Sequence, residues 1–294
     1  MPYQRRSFLK LAASLSSGLA LTAIAGELAG CKSAAKATTG AKPLGLQLYT
    51  LKDDLPKNPK EVLKQVASYG YTQLESFEGG QGIFWGMSNK EFQKYIGGLG
   101  MSIVSSHCDI NKDFERKAAE SAEIGMKYLL SPHIGPQKTL DDYKRYAERF
   151  NQLGQVCKKA GLRFAYHNHD YTFKPLNGQL PQDVLMQQTD KDLVDFEMDI
   201  YWVITAGQDA EQWFTRYPNR FRLCHIKDRK KDVPATDIDA SVAVGTGAID
   251  FAKILKTAGQ QGMQYYIVEQ ERYDNTTPLA AAKESALYIR QHLL

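Results

Sequence analysis

Cysteine is scarce in this chain. Four occur among 294 residues, at 31, 108, 157 and 224. They are unevenly spaced and form no metal-finger pattern, so a disulfide framework is excluded. Cys108 and Cys224 adjoin strand-end histidines and read as small buried residues rather than ligands. An excess of one charge is also missing. The 37 Lys and Arg face 33 Asp and Glu for a net charge of +4, which leaves no basic footprint for nucleic acid. Residues 11–25 are apolar, but their flanks and small residues fit a signal h-region better than a spanning helix. Histidine is sparse, with six in all, and no second domain is visible.

What is present begins with an address. Arg5-Arg6-Ser7-Phe8-Leu9-Lys10 is a twin-arginine start, and Leu28-Ala29-Gly30-Cys31 resembles a bacterial lipobox. Residues 1–31 are therefore expected to be a signal peptide, with lipid on Cys31 anchoring the protein in the cell envelope. Lys32 after the cysteine, where an inner-membrane lipoprotein would often carry Asp, favours the outer membrane. Residues 32–43 are small and polar, a flexible tether. Removing residues 1–31 takes away Arg5, Arg6, Lys10 and Glu27 and lowers the net charge to +2. Twin-arginine export moves folded proteins, so a metal ion could be loaded in the cytoplasm before periplasmic copper or zinc competes.

The remaining stretch, 44–294, is the usual size of one (β/α)8 barrel, about 250 residues. Strand and helix signals alternate along it, which argues an α/β fold with a parallel sheet. Strands are expected at 44–49, 72–77, 101–106, 128–131, 162–166, 194–198, 221–224 and 265–268. Helices are expected at 59–69, 88–97, 113–124, 139–160, 181–188, 210–216, 250–258 and 278–292. Ser88 with Glu91 is a capping-box pair, and Gly161 ends the long helix. Loops 79–86 and 229–247 exceed the usual connection length and are expected to shape or cover a pocket.

Four strand-like runs end in residues that bind divalent metals: His167, Asp199, His225 and Glu269. They are spaced by about one βαβ unit. In such a barrel the carboxyl ends of all strands meet on one face, so ligands far apart in sequence can share one ion. Two imidazoles and two carboxylates suit Mn, Zn, Co or Fe better than Ca or Mg. His169, two residues beyond His167, points to the same interior and could replace it or act as a base. Glu75, His107 and His133 end the second, third and fourth strands as candidate acid/base groups or substrate contacts. Lys227 could stabilise an oxyanion, and Trp85 and Trp202 could form an apolar wall. Glu197 is expected to be a buried structural carboxylate bonded to Gln47 or a similar group.

At these residues the chain resembles the xylose-isomerase-like sugar phosphate isomerase/epimerase superfamily. The matching pieces are Gly45-Leu46-Gln47-Leu48-Tyr49-Thr50, Ser106-His107, Tyr166-His167-Asn168-His169-Asp170 and Met198-Asp199-Ile200-Tyr201-Trp202. His225-Ile226-Lys227-Asp228, Val244-Gly245-Thr246-Gly247 with Ile249-Asp250, and Val268-Glu269 follow in order. The resemblance implies one divalent metal ion, a small carbohydrate substrate and removal of a proton next to a carbonyl. The metal would serve as Lewis acid and a His or Glu as base. Reprotonation then gives an isomer or epimer, the superfamily's named activity; loss of a β-leaving group makes a lyase or dehydratase.

His167 departs from the pattern. In the family's ketose 3-epimerases that position is a Glu facing the strand-eight Glu across the substrate. Here only Glu269 of the pair is present, and Trp202 stands where the motif often has His. The pattern after strand five is similar to relatives of inosose dehydratase and to relatives that cleave 3-keto-glycosides by elimination. An exported location argues against phosphorylated substrates. Two other classes compete: a non-catalytic carbohydrate-binding lipoprotein, and an endonuclease IV-like enzyme. Six histidines and a near-neutral charge disfavour the latter.

Overall fold

The computed structural model describes residues 42–294. The twin-arginine segment, the Cys31 lipobox and most of the tether fall outside the described residues. Eight strands, β1 (Gly45–Gln47), β2 (Gln73–Phe77), β3 (Ser102–His107), β4 (Tyr128–Ser131), β5 (Arg163–His167), β6 (Val194–Asp199), β7 (Phe221–Ile226) and β10 (Tyr265–Val268), close into a barrel. Neighbours are parallel throughout, and β10 pairs with both β7 and β1. Strands covered by helices on one side and packed into a lumen on the other must be buried on both faces. β4 and β6 are buried at every position.

Alternation sorts the strand residues into two sets. Leu74, Leu129, Phe164, Phe196 and Val268 join the large core under the helices. Tyr128, Leu130, Ala165, Leu223 and Ile267 make a separate small cluster. Ala165, Leu223 and Ile267 lie two positions before His167, His225 and Glu269, so the same face carries an apolar plug below and polar groups above. Register holds the polar groups level: Gln47 pairs with Glu75, His167 with Glu197, and Asp199 with His225.

The expected helices form, with Ser88–Glu91 and Thr139–Asp142 capping boxes and Gly161 at φ 88°. One more was not expected. The helix Ile200–Thr205 starts directly from Asp199, whose side chain caps it by accepting from Trp202 N at 3.3 Å. Its β-branched and aromatic residues are weak helix formers. Burial on nearly every side leaves no amphipathic stripe to reveal it.

The two long loops do not cover the pocket. Ile83, Phe84 and Trp85 turn into the core. The loop after β7 is pinned by Asp228, whose carboxylate accepts N–H groups from Arg229, Gly245, Gly247 and Ile249 at 2.8–3.2 Å. A short antiparallel ribbon, β8 (Asp228–Arg229) with β9 (Ser241–Val242), closes its base. Gly247 is required because a Cβ there would lie 2.2 Å from Asp228 Oδ1 and 2.3 Å from the Arg229 carbonyl. Gly247→Ala should therefore cost about 2 kcal/mol or more. Gly97→Ala, where a Cβ meets open space, should gain about 0.5–1 kcal/mol. Urea titrations of both variants check this; equal effects would show that the Asp228 cradle does not constrain the loop.

Candidate metal centre and its cavity

Two carboxylates form the floor of the site, both without solvent exposure: Glu75 on β2 and Glu197 on β6. Gln47 Nε2 donates to Glu75 Oε1 at 2.7 Å, so Gln47 serves Glu75 and not Glu197 as the sequence suggested. His225 Nε2 lies 2.7 Å from the same Glu75 oxygen. Glu197 Oε2 instead meets His107 Nε2 at 2.8 Å and His167 Nδ1 at 3.0 Å. Burial, reinforced by the charge of Glu75, pushes Glu197 up to about 7. At Glu75 burial is outweighed by His107 and His225, and its pKa falls below the ordinary value.

Each histidine of the expected ligand set thus has one nitrogen on the floor and the other turned toward Asp199. Burial, with the neighbouring His225 and His107, holds His167 well below its ordinary pKa, as a neutral imidazole. With Nδ1–H given to Glu197, its Nε2 keeps a lone pair and lies 3.8 Å from Asp199 Oδ2. His225 Nδ1 is 3.8 Å from Asp199 Oδ2 and 3.0 Å from Glu269 Oε2. A tetrahedral shell with bonds of about 2.1 Å has edges of about 3.4 Å, and these separations bracket that value. A carboxylate behind each imidazole is the usual support of a metal-bound histidine. The residues therefore fit a divalent ion.

Donor atoms come within 4.8 Å of one another in two groups, Asp199 with His225 and Glu269, and His107 with His167, Glu197 and His225; His167 joins the first group only through its 3.8 Å approach to Asp199. In the second group Glu197 is already occupied by imidazole nitrogens and sealed in the floor, so the first, upper group is the better cradle. His167, and not His169, reaches Asp199. His169 instead packs in the wall, its ring 5.3 Å from Trp202 and 4.8 Å from His133. Asn168, between the two histidines, locks the backbone of Asp199 by exchanging two hydrogen bonds with it at 3.2–3.3 Å. That contact gives the His-Asn-His pattern its structural reason.

Above the centre opens a cavity of about 530 Å³. His107, His167, Lys227 and Glu269 line its lower part, Tyr49 and Phe77 one wall, Trp202, His169 and His133 another. Glu78, Asp109 and Asn111 stand at the rim. Burial pushes His169 down to about 3, with a smaller contribution from Lys227, so its imidazole is neutral. Its Nδ1 is buried without a partner. Lys227 lies 3.4 Å from Asp199 Oδ2 and 3.2 Å from Glu269 Oε2, and also contacts Glu271.

Two expected site residues sit elsewhere. Trp85 does not face the cavity: its indole donates to Ser76 Oγ at 3.1 Å and its ring packs on Phe77 at 4.9 Å. Phe77 takes its place as wall. Glu75 does not reach the cavity either and supports His225 from below. The sequence reading missed Glu197 as the support of two histidines, and it missed Glu271. Both lie two positions from a named residue on the same strand face, Asp199 and Glu269, so alternation was the signal available.

The model of the xylose isomerase-like TIM barrel matches residues 63–292. The chain belongs to this family. Among curated proteins it is 30% identical over 165 residues to an inosose dehydratase of Clostridium perfringens, covering 51% of this chain and 55% of that one. The match thus spans about half the length of that relative. Among solved structures, a sugar phosphate isomerase/epimerase from Parabacteroides distasonis is 29% identical with a TM-score of 0.75, over 90% of this chain and 98% of that one. The fold is shared too by the IOLI protein with a bound zinc atom, at 17% identity and a TM-score of 0.68, over 84% of this chain and 96% of that one.

If Glu197 orients His167 and His107 as described, Glu197→Gln should lower affinity for Zn or Co about 10–100-fold while the far-UV spectrum stays native. Competition with a chromophoric chelator measures it. Unchanged affinity would remove Glu197 from the support of the centre.

Proposed function

We propose that the chain is a divalent-metal-dependent carbohydrate lyase of the dehydratase type, removing a β-leaving group from a keto-sugar or 3-keto-glycoside. The observation that carries this reading is the asymmetry around Glu269. The carboxylates near the centre that open on the cavity, Glu269 and Glu271, come from one strand end. Across from them stand imidazoles, His167 and His169. Epimerisation by two facing carboxylates has no second carboxylate here. Similarity to inosose dehydratases supports elimination.

His167, Asp199, His225 and Glu269 would hold the ion, and the zinc of the IOLI protein supports a metal of this kind on this fold. The ion, whether Mn, Zn, Co or Fe, would supply a Lewis acid to the carbonyl oxygen of the substrate. The remaining steps belong to side chains. His169, neutral and lining the cavity beside the centre, takes the proton from the carbon next to the carbonyl. Glu269 is less free to take it, because its Oε2 already meets His225 at 3.0 Å and Lys227 at 3.2 Å. His107 lies above its ordinary pKa, burial being outweighed by Glu75 and Glu197. It donates a proton to the departing oxygen as the C–O bond breaks, giving an enone and water or an alcohol. Lys227 adds positive charge beside the oxygen, and Trp202, Tyr49 and Phe77 bury the sugar ring. His133 contacts the substrate from the wall.

Incubation of the metal-loaded protein with keto-sugars and 3-keto-glycosides in deuterium oxide tests this. Loss of water or aglycone is expected, and His169→Ala should lower the rate about 10²–10⁴-fold. Solvent deuterium in a retained skeleton would make it an isomerase or epimerase instead. We further propose that the enzyme is held in the cell envelope by lipid on Cys31. Cys31→Ala should then release it from the membrane fraction with activity intact; unchanged fractionation would refute the anchor.

A further inference from the structure

We propose that Lys227 is a resident counter-ion of the centre: its ammonium holds Asp199 and Glu269 until a divalent ion arrives, then moves on to Glu271. The proposal rests on the reading that the four donors take a metal ion. Lys227 is 1% exposed, so its charge has no water to retreat to. It lies 3.4 Å from Asp199 Oδ2 and 3.2 Å from Glu269 Oε2. Those oxygens are two of the donors named above. An ion bonded at about 2.1 Å to both would sit no more than about 5.3 Å from the ammonium. Two cations that close, among side chains largely shielded from water, repel strongly.

The structure also supplies the place to go. Glu271 already contacts Lys227, and its side chain is 30% exposed, unlike the 0% and 6% of Asp199 and Glu269. Tyr201 and Trp202 flank the ammonium, with ring centroids at 5.2 and 5.1 Å. Their faces help to hold the cation beside the carboxylates. Glu271 lines the cavity but holds no donor position of the centre, so its part here is to position Lys227. The arrangement explains how two buried acidic side chains and a buried lysine can stand together without an ion, and how the same site accepts one.

The test measures metal affinity, not turnover. Zn and Co are titrated into the metal-free full chain and into Lys227→Met, Glu271→Gln and the double variant, in competition with a chromophoric chelator. The visible spectrum of the Co form checks that the donor set is unchanged. Lys227→Met should bind about tenfold more tightly or better, because the repelling charge is gone. Glu271→Gln should bind several-fold more weakly, because Lys227 then stays on the ligand oxygens. In the Lys227→Met background Glu271→Gln should have little effect. If Glu271→Gln weakens binding equally in both backgrounds, Glu271 acts only as a nearby charge and the proposal fails. If Lys227→Met binds no more tightly than the wild type, it fails as well. Should Lys227→Met not fold, Lys227→Gln replaces it in the same comparison, and equal weakening by Glu271→Gln in both backgrounds overturns the proposal. A wild-type chain that binds neither ion refutes the metal reading itself, and the proposal with it.

Discussion

Glu75 and Glu197 are carboxylates with no water around them, and the upper half of the barrel is arranged to meet their charge. Leaving a buried charge unpaired costs about 3–5 kcal/mol, a large share of a domain's net stability. Three imidazoles and the Gln47 amide answer that demand at Glu75 Oε1 and Glu197 Oε2, while the other oxygen of each is buried without a partner. In doing so they fix every ring. His167 and His225 each spend one nitrogen on the floor, which determines the direction of the other. The orientation of the centre is thus a consequence of satisfying buried acids rather than a separate feature.

The same logic continues upward. Asp199 is tied by its backbone to Asn168 and by Oδ1 to the first turn of the helix that follows, leaving Oδ2 for the centre. Beneath the floor, the cluster of Tyr128, Leu130, Ala165, Leu223 and Ile267 closes the lumen. Water is therefore excluded from below, and the site opens only toward the cavity. A site of this kind strengthens each electrostatic contact inside it. It also makes an error in any one group expensive.

Much of this was legible in the residues. The eight expected runs end within two residues of the barrel strands, because two-sided burial leaves a readable signature in parallel strands. That Asp199, His225 and Glu269 come together, with His167 beside Asp199, follows from barrel geometry. Partner choice was not legible. Alternation says that Glu197 faces inward, but not that it serves His107 and His167 while Gln47 serves Glu75. Trp85 misled because a tryptophan in a long loop reads as a wall, whereas the loop folds it under Phe77. The helix Ile200–Thr205 left no trace because a helix buried all round has no polar face. Asp228 and its glycines matched a motif, yet only the four N–H groups on one carboxylate show what the motif is for.

The central claim is that the barrel presents one ion site whose donors are His167 Nε2, Asp199, His225 Nδ1 and Glu269. A crystal structure of the Zn- or Mn-loaded protein, with anomalous differences collected at the metal edge, tests it most directly. The account predicts a single peak about 2.0–2.2 Å from those four donors, with Glu75 and Glu197 behind the two imidazoles and outside the shell. A peak coordinated by His107 and Glu197, or no peak between Asp199 and Glu269, would contradict it.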